Sequence, residues 1–316
     1  MQASEPPAAP ARRAGFRNHG RATMTDDASP GPRENAVTQR EGVVSSLHRY
    51  PVKSMLGETT RELVLDDGGA VGDREFAVLD EETGLIASAK NPRKWRGLLT
   101  ISASVRTGTP ARVDLTMPDG RVYDLHDPPV DTEIGTIVGR AVRVVSTPPR
   151  GAAMERSVPD EVLDRGVDAE VPALVLDVGG APGGRFHDYG PVHLITTATL
   201  ARIGRPAHGG RPMPAARYRP NLVLDLGDDL AGFAENDWTG RHVRIGPEVV
   251  LEVLVPTPRC AVPTLEHGEL PRDVAALAVV ASANRVASLG GQPCAGCYAR
   301  VVSPGRVGVG DPVSLR

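Results

Sequence analysis

One cysteine, Cys260, is the residue of this sequence best placed to bind a metal or to attack an electrophile. It follows Arg259 directly, and a fixed positive charge favours the thiolate form that coordinates metals. The preceding segment, 249–255, alternates apolar side chains as a half-buried strand does. Pro256 and Pro258 are expected to end that strand and to present the thiol on a stiff loop. The alternative at this point is a small, buried and unreactive cysteine.

Cations and hydroxyl groups lie at the ends of several predicted strands, and such groups bind phosphate in proteins. Arginine donates paired hydrogen bonds to a phosphate, and free N–H groups at the start of a helix favour an anion. Each residue alone is more often a cap or part of a surface ion pair. Together with Cys260 they indicate a site for an anionic cofactor. The candidates are Lys53, Ser54, Arg74, Thr196, Thr197, Arg219 and Asn221.

The elements that must position these residues are mostly β-strands. Residues 113–117 alternate in hydrophobicity and lead through Pro118-Asp119-Gly120 into 122–125, which predicts a hairpin. Thr196 follows a predicted strand and is a favoured N-cap residue for a helix. Short strands at this spacing predict barrels or sandwiches, so the fold class is mainly β with a few helices. Further strands are predicted within 74–80 and 85–88 (as a hairpin), 99–105, 142–146, 173–176, 192–195, 222–226, 243–245, 298–302 and 307–315, and helices near 160–165 and 273–287.

The composition divides the chain into four parts. Residues 1–41 are rich in Pro, Ala, Arg and Gly without an apolar period, which predicts a disordered tail. Within this tail, Met24 begins a more acidic stretch and is interpreted as the true start. A first β-barrel domain is expected over 42–149, a connecting segment over 150–190 and a second β-barrel domain over 191–316.

The bulk composition excludes several classes of protein. A net charge of -3 and only 3% aromatic residues argue against nucleic-acid binding. No stretch approaches the length of apolar sequence that a membrane span requires. Three cysteines in 316 residues form no disulfide framework, which indicates a reducing, cytoplasmic location.

Five short motifs, in this order along the chain, resemble those of the molybdenum cofactor sulfurase C-terminal (MOSC) domain proteins. The branch that they resemble has an N-terminal β-barrel domain and includes the mitochondrial amidoxime-reducing component. The motifs span both predicted domains. They are Tyr50-Pro51-Val52-Lys53-Ser54, Gly72-Asp73-Arg74, Tyr218-Arg219-Pro220-Asn221, Pro258-Arg259-Cys260 and Gly308-Val309-Gly310-Asp311-Pro312.

The resemblance implies a cofactor and a role for each candidate residue. Cys260 would be the protein ligand to molybdenum, since soft thiolates suit such metals, and Tyr298 would lie near the cofactor as a second catalytic residue. The cofactor would be the plain molybdenum–molybdopterin form. The residues expected to hold its pterin and phosphate are Lys53, Ser54, Arg74, Thr196, Thr197, Arg219 and Arg259, with Asn221 orienting the loop.

The implied activity is the removal of an oxygen atom from a small N-hydroxylated or N-oxide substrate. No iron–sulfur cluster is expected in this chain, so electrons would come from a separate ferredoxin-, flavoprotein- or cytochrome-type protein. The alternative is a sulfur carrier or transferase with a persulfide on Cys260. A non-enzymatic sensor that keeps the cofactor pocket is the third hypothesis. Cys294 and Cys297 form a lone C-x-x-C without the second pair of a closed zinc site, and two reduced thiols are expected there.

Overall fold

A closed β-barrel is the largest feature of the computed structural model, which describes residues 40–106, 112–178 and 184–316. Nearly all of the predicted tail, with Met24, therefore lies outside the described residues. The strands are β1 (Arg40–Arg49), β2 (Glu58–Thr60), β3 (Glu62–Asp66), β4 (Gly69–Ala70), β5 (Ala77–Asp80), β6 (Ser102–Arg106), β7 (Arg112–Thr116), β8 (Val122–Asp124), β9 (Val142–Val145), β10 (Ala153–Ser157), β11 (Ala173–Asp177), β12 (Val192–Thr196), β13 (Leu222–Asp225), β14 (His242–Ile245), β15 (Val249–Pro258), β16 (Arg285–Val286), β17 (Gln292–Ser303), β18 (Gly305–Gly308) and β19 (Pro312–Leu315). The α-helices are α1 (Pro92–Trp95), α2 (Val130–Val138), α3 (Pro159–Arg165), α4 (Thr197–Gly204) and α5 (Ala275–Ala283).

The barrel closes because its first and last strands pair with each other. Its order is β12-β13-β1-β19-β14-β15-β17, and β17 returns to pair with β12. The pair β12–β13 is parallel, and the other pairs in the ring are antiparallel. Closure leaves no unpaired edge in this sheet. Strand β1 comes from the segment assigned to the first domain but completes a barrel built otherwise from the second.

Alternation of apolar side chains supplies the core of the barrel. Val249, Leu251 and Val253 on β15 are fully or almost fully buried, and they pack with Leu47 of β1 and Leu194 of β12 in one cluster. Because successive side chains of a strand point to opposite faces, the intervening residues lie on the other face of the sheet. The alternation that predicts this strand therefore places its apolar face in the barrel core.

Smaller sheets form the remainder of the β structure. Strands β6, β7 and β8 form one, β5 and β9 another and β10 and β11 a third, and β3 pairs with β18 on one side and with β4 on the other. The predicted turn at Pro118-Asp119-Gly120 joins β7 to β8, which confirms that hairpin. Helix α2, which the sequence did not predict, packs Ile134 into a second apolar cluster with Trp95 and Leu98.

Two predictions about strands are corrected by the structure. Residues 74–80 and 85–88 do not form a regular hairpin, because β5 pairs with β9 and meets the second segment only at the bridge between Leu79 and Ile86. Strand β15 continues to Pro258 instead of ending at Val255. Its register with β17 shifts between Pro256 and Pro258, and such an irregularity accommodates residues that lack an N–H.

The fold class predicted from the sequence is confirmed: the protein is mainly β, with a closed barrel and a few helices. Sheets cross the predicted domain boundaries, since β1 joins the barrel and β18 pairs with β3. The boundaries at 149 and 190 stay a prediction. Within the ranges that the structure describes, no helix is long and apolar enough to cross a membrane.

Candidate functional site

A stack of three side chains lies at the centre of the candidate site. The Tyr50 ring lies against two guanidinium groups, with its centroid 5.1 Å from Cζ of Arg74 and 4.3 Å from Cζ of Arg219. Arg74 also donates to the Arg219 carbonyl oxygen at 3.2 Å and pairs with the fully buried Asp73. Burial and the neighbouring Arg74 lower the pKa of Arg219 to about 10. Two motifs more than 140 residues apart therefore meet at one ring.

A buried lysine extends the positive charge of this stack. Lys53 is 4% exposed, and its Nζ donates to the Phe186 carbonyl oxygen at 3.0 Å and to Asp188 at 2.5 Å. Lys90 pairs with the other carboxylate oxygen of Asp188 at 2.9 Å. Burial lowers the pKa of Lys53 to about 8, although Asp188 opposes the shift. One carboxylate thus bridges two lysines at the rim of the site.

Backbone strain is concentrated in the residues predicted to hold a cofactor. Non-glycine residues with left-handed φ in the described chain are Ser54 (66°), Arg74 (51°), Arg219 (55°) and Phe233 (68°). Such a conformation costs roughly 1–3 kcal/mol and persists where the surrounding structure enforces it, often at a functional site. Three of these four residues are candidates from the sequence, and their strain is consistent with side chains held in place for a ligand.

Cys260 lies in a small apolar cluster beside this charged region. Its relative exposure is 9%, and it groups with Ala89, Leu99, Val262 and Leu265. The Ala89 N–H donates to Ser54 Oγ at 3.0 Å, so this cluster adjoins the Lys53-Ser54 segment. The thiol is therefore shielded by apolar groups on one side and lies near predicted cofactor residues on another.

The guanidinium group of Arg259 has three partners within the protein, and its contact with a cofactor stays a prediction. The group donates to the carbonyl oxygens of Ala295 (2.9 Å from Nε) and Tyr218 (3.1 Å from Nη1), and to Nε2 of His193. Burial and this arginine lower the pKa of His193 well below its usual range, so the imidazole is neutral and accepts at Nε2. Arg259 thus joins β12, β17 and the turn at Tyr218 to the Cys260 loop.

Tyr298 lies between the barrel wall and the loop that carries Asp188. Its ring centroid is 5.6 Å from that of His193 and 5.9 Å from that of the exposed Tyr189. Burial and the charge of Asp188 raise the pKa of Tyr298, with a smaller contribution from Cys260. The phenol is therefore neutral at physiological pH and can act only as a hydrogen-bond donor or acceptor.

Asn221 has a positioning contact on each side of its amide. Its Oδ1 accepts from the His193 N–H at 3.1 Å, and its Nδ2 donates to the His48 carbonyl oxygen at 3.4 Å. The side chain is 1% exposed. These bonds join β12 to the end of β1, immediately before Tyr50, and so fix the loop that carries Arg219.

Thr196 and Thr197 are not joined to the cationic side chains by hydrogen bonds. Thr196 caps α4 by accepting from the Thr199 N–H at 3.1 Å, which confirms the predicted cap. Its hydroxyl also donates to the buried Glu235 at 2.9 Å, and that of Thr197 donates to Asp225 at 3.2 Å. Their contact with a cofactor stays a prediction.

The C-x-x-C segment lies in β17, and both of its thiols are free. Burial raises the pKa of Cys294 to about 11 and that of Cys297 well above its usual value. Gly296 between them has φ 72°, and a Cβ there would lie 2.3 Å from the Leu194 carbonyl oxygen and 2.7 Å from His193 Nε2. Only glycine fits this close approach. The two thiols are poor nucleophiles, because their raised pKa values keep them protonated.

Several residues of the site, Lys90 among them, were not among the candidates from the sequence. Asp188 lies before a Gly-Pro pair in a loop without a motif, Arg217 is two residues before Arg219, and His267 is in a turn. The one signal available for Arg217 was a second arginine beside the Arg-Pro-Asn motif. Nothing in the local sequence marked the other two.

Arg217 organises the loop that follows Cys260. It is 2% exposed and donates to the carbonyl oxygens of Pro263 (3.2 Å), Leu265 (3.0 Å) and Pro271 (2.5 Å). Hydrogen bonds from a charged donor contribute about 1.5–3 kcal/mol each, and desolvation of the guanidinium offsets part of that sum. This side chain therefore ties the loop to the element that carries Arg219.

Replacing Arg217 by methionine is expected to lower the free energy of unfolding by about 2–4 kcal/mol, because the three carbonyl groups lose their donor. Chemical denaturation of the cofactor-free protein measures this. Arg300→Met is the matched control, because Arg300 is exposed on β17, pairs with Glu252 at the surface and should matter by no more than about 1 kcal/mol. Equal losses in the two variants would contradict the role of Arg217.

The whole arrangement is an electropositive site beside one thiol. Its cationic side chains outnumber the carboxylates Asp73 and Asp188, and one buried guanidinium nitrogen, Nη2 of Arg219, has no hydrogen-bond partner. A buried surplus of positive charge is unfavourable alone and favours an anionic ligand. The cations are Lys53, Lys90, Arg74, Arg219 and Arg259.

Two family models match the chain in successive regions. The MOSC N-terminal beta barrel domain matches residues 41–131, and the MOSC domain matches residues 183–314. A curated relative, mitochondrial amidoxime reducing component 2 from Rattus norvegicus, is 23% identical over 259 residues, which cover 74% of this chain and 70% of the relative.

The solved structures that the chain matches include bacterial proteins. YuaD from Bacillus subtilis is 11% identical, with a TM-score of 0.42 over 88% of this chain and 97% of its own. YiiM from Geobacillus stearothermophilus is 20% identical, with a TM-score of 0.27 over 40% of this chain and 54% of its own. The two family matches cover most of the sequence in the order of the two predicted domains. The chain therefore belongs to the MOSC domain proteins that have an N-terminal MOSC β-barrel domain.

Proposed function

We propose that this protein binds the molybdenum cofactor and reduces N-hydroxylated or N-oxide substrates by removing their oxygen atom. The observation that carries the proposal is the convergence of Cys260 with buried cations, of which Arg219 has an unpartnered donor. Membership of the MOSC family and the distant similarity to an amidoxime reducing component support it.

The residues present fit such a cofactor in charge and in donor chemistry. A thiolate is the soft ligand that a molybdenum centre with a dithiolene requires. Lys53 and Arg74 supply cationic N–H groups for a phosphate, and Arg219 supplies a further N–H group, at Nη2, that has no partner among the described residues. Cys260 would hold the metal, and the cations would hold the pterin and its phosphate.

The bound cofactor would supply two-electron oxygen-atom transfer, a step that protein side chains cannot perform. The chain itself would position the substrate and limit access of water to the thiol. Tyr298, which is neutral and next to His193, would donate a hydrogen bond to the substrate oxygen. Overall, an N-hydroxyl group, two electrons and two protons would give an amine and water, with the electrons supplied by a separate redox protein.

The test uses the protein produced in a host that synthesises the cofactor. We expect close to one molybdenum per chain by elemental mass spectrometry, and reduction of a small aryl amidoxime by the protein with a chemically reduced viologen. Heat-denatured protein with the same metal content is the control for reaction with free cofactor. Absence of molybdenum, together with a persulfide on Cys260 by mass spectrometry, would overturn the proposal in favour of sulfur transfer.

A further inference from the structure

His267 is a buried histidine with an unused acceptor, and the proposed function above gives it no role. It is 4% exposed, and its Nδ1 lies 3.0 Å from the Leu265 carbonyl oxygen. Because a carbonyl oxygen only accepts, Nδ1 carries the proton and Nε2 presents a lone pair. That Nε2 is buried and has no hydrogen-bond partner among the residues that the structure describes. Because buried polar atoms in folded proteins are nearly always paired, an unpaired acceptor points to a group that is bound there.

The surroundings of His267 place it beside the cationic stack. The Nη1 of Arg219 donates to the Met55 carbonyl oxygen at 2.5 Å, and the side chain of Leu56 approaches Gly268, the residue after His267. Burial lowers the pKa of His267 to about 4, and the charge of Arg219 contributes to the shift. The imidazole is therefore neutral at physiological pH and remains an acceptor.

An unpartnered donor and an unpartnered acceptor thus lie in the same region. Nη2 of Arg219 offers an N–H, and Nε2 of His267 offers a lone pair. A heterocycle whose edge carries N–H groups next to a carbonyl oxygen satisfies both. The aminopyrimidinone ring of a pterin has such an edge, whereas a phosphate group has no N–H to donate.

We propose that His267 is a further cofactor-binding residue of this chain, which accepts a hydrogen bond from an N–H group of the pterin ring. The inference rests on the proposed function, since the pterin is the cofactor named there. This contact would place the pterin ring on the side of the site formed by the 265–270 turn. It also separates recognition of the ring, by His267 and Nη2 of Arg219, from recognition of the phosphate by Lys53 and Arg74.

The test compares His267→Leu with His267→Gln in the full-length protein loaded in a cofactor-producing host. The leucine lacks an acceptor, and the glutamine places an amide oxygen near the position of Nε2. After transfer to cofactor-free buffer, the rate of pterin release is followed by the fluorescence of its oxidation product. We expect release at least tenfold faster from His267→Leu and within about threefold of wild type from His267→Gln.

Two controls distinguish this role from a structural one. The melting temperature of cofactor-free His267→Leu is expected to equal or exceed that of wild type, because the orphan acceptor is removed. His242→Leu, at an exposed histidine on β14, should release the pterin at the wild-type rate. Equal release from wild type and His267→Leu would overturn this inference alone. A wild-type protein that carries no pterin would overturn the proposed function as well.

Discussion

Cys260→Ala is expected to remove molybdenum from the protein and to abolish amidoxime reduction while leaving the fold intact. The thiol has no hydrogen bond that the barrel depends on, and it lies in a small cluster at 9% exposure. Truncation to alanine therefore costs about 1 kcal/mol of stability. Loss of the soft ligand should reduce the molybdenum-to-protein ratio at least tenfold, measured by elemental mass spectrometry on protein whose melting temperature lies within a few degrees of wild type.

Cys294→Ala is the matched control for the loss of a buried thiol. Cys294 lies opposite Pro258 in the neighbouring strand and is fully buried, so its truncation should affect stability by a similar amount. We expect this variant to keep its molybdenum and its activity. Stoichiometric metal and full activity in Cys260→Ala would contradict the assignment of Cys260 as the ligand.

Arg219→Met is expected to weaken cofactor retention by about 10- to 100-fold with little change in the stability of the cofactor-free protein. The loss corresponds to one or two charge-assisted hydrogen bonds of about 1.5–3 kcal/mol. Removing the buried cation beside Arg74 relieves like-charge repulsion, and this offsets the lost bond to the Met55 carbonyl oxygen. The rate of pterin release measures retention, and denaturant unfolding measures stability.

Arg219→Lys and Arg300→Met are the comparison variants for this experiment. Lysine keeps the charge, but its ammonium group cannot donate to the Met55 oxygen and also present a second planar N–H group. Cofactor retention should therefore lie between that of wild type and that of Arg219→Met. Arg300 on β17 is exposed and paired with Glu252, and its loss should leave retention unchanged. If Arg219→Met held the pterin as tightly as wild type, the cationic stack would not be the anion site.

The two variants with the largest expected effects change different parts of the site, so they distinguish binding of the metal from binding of the pterin. Cys260→Ala should lose the metal, and Arg219→Met should lose the whole cofactor, because the pterin carries the phosphate. Measuring metal and pterin on the same samples therefore tests whether the thiol and the cations serve one ligand. Loss of the pterin from Arg219→Met with full retention of the metal would contradict a single cofactor that spans both groups.

The sequence alone determined the local features of this protein. The alternation in 249–255 predicted β15, the Pro-Asp-Gly turn predicted the β7–β8 hairpin, and Thr196 predicted the start of α4. These succeed because side-chain alternation, turn chemistry and N-capping depend on neighbouring residues. The order of the five motifs likewise indicated the family without any coordinates.

Predictions from the local sequence pattern were incomplete or wrong where contacts between distant segments decided the structure. The strand β5 was expected to pair with 85–88, but β9 supplied the longer partner. Prolines at 256 and 258 were expected to end β15, yet an irregular register with β17 accommodates them. Helix α2 was not predicted from the sequence. It is stabilised by the burial of Ile134 against Trp95, and the residues around the helix do not encode that contact.

Only the tertiary structure decided how the candidate residues combine into a site. The sequence indicated that Lys53, Arg74 and Arg219 are cations near strand ends, but the left-handed backbone at two of them sets where the guanidinium groups point. Arg259 donates to backbone carbonyl groups, and His267 came into the site through a turn seven residues after Cys260. A buried charge is tolerated only where distant partners compensate it, and those partners come together only when the barrel closes.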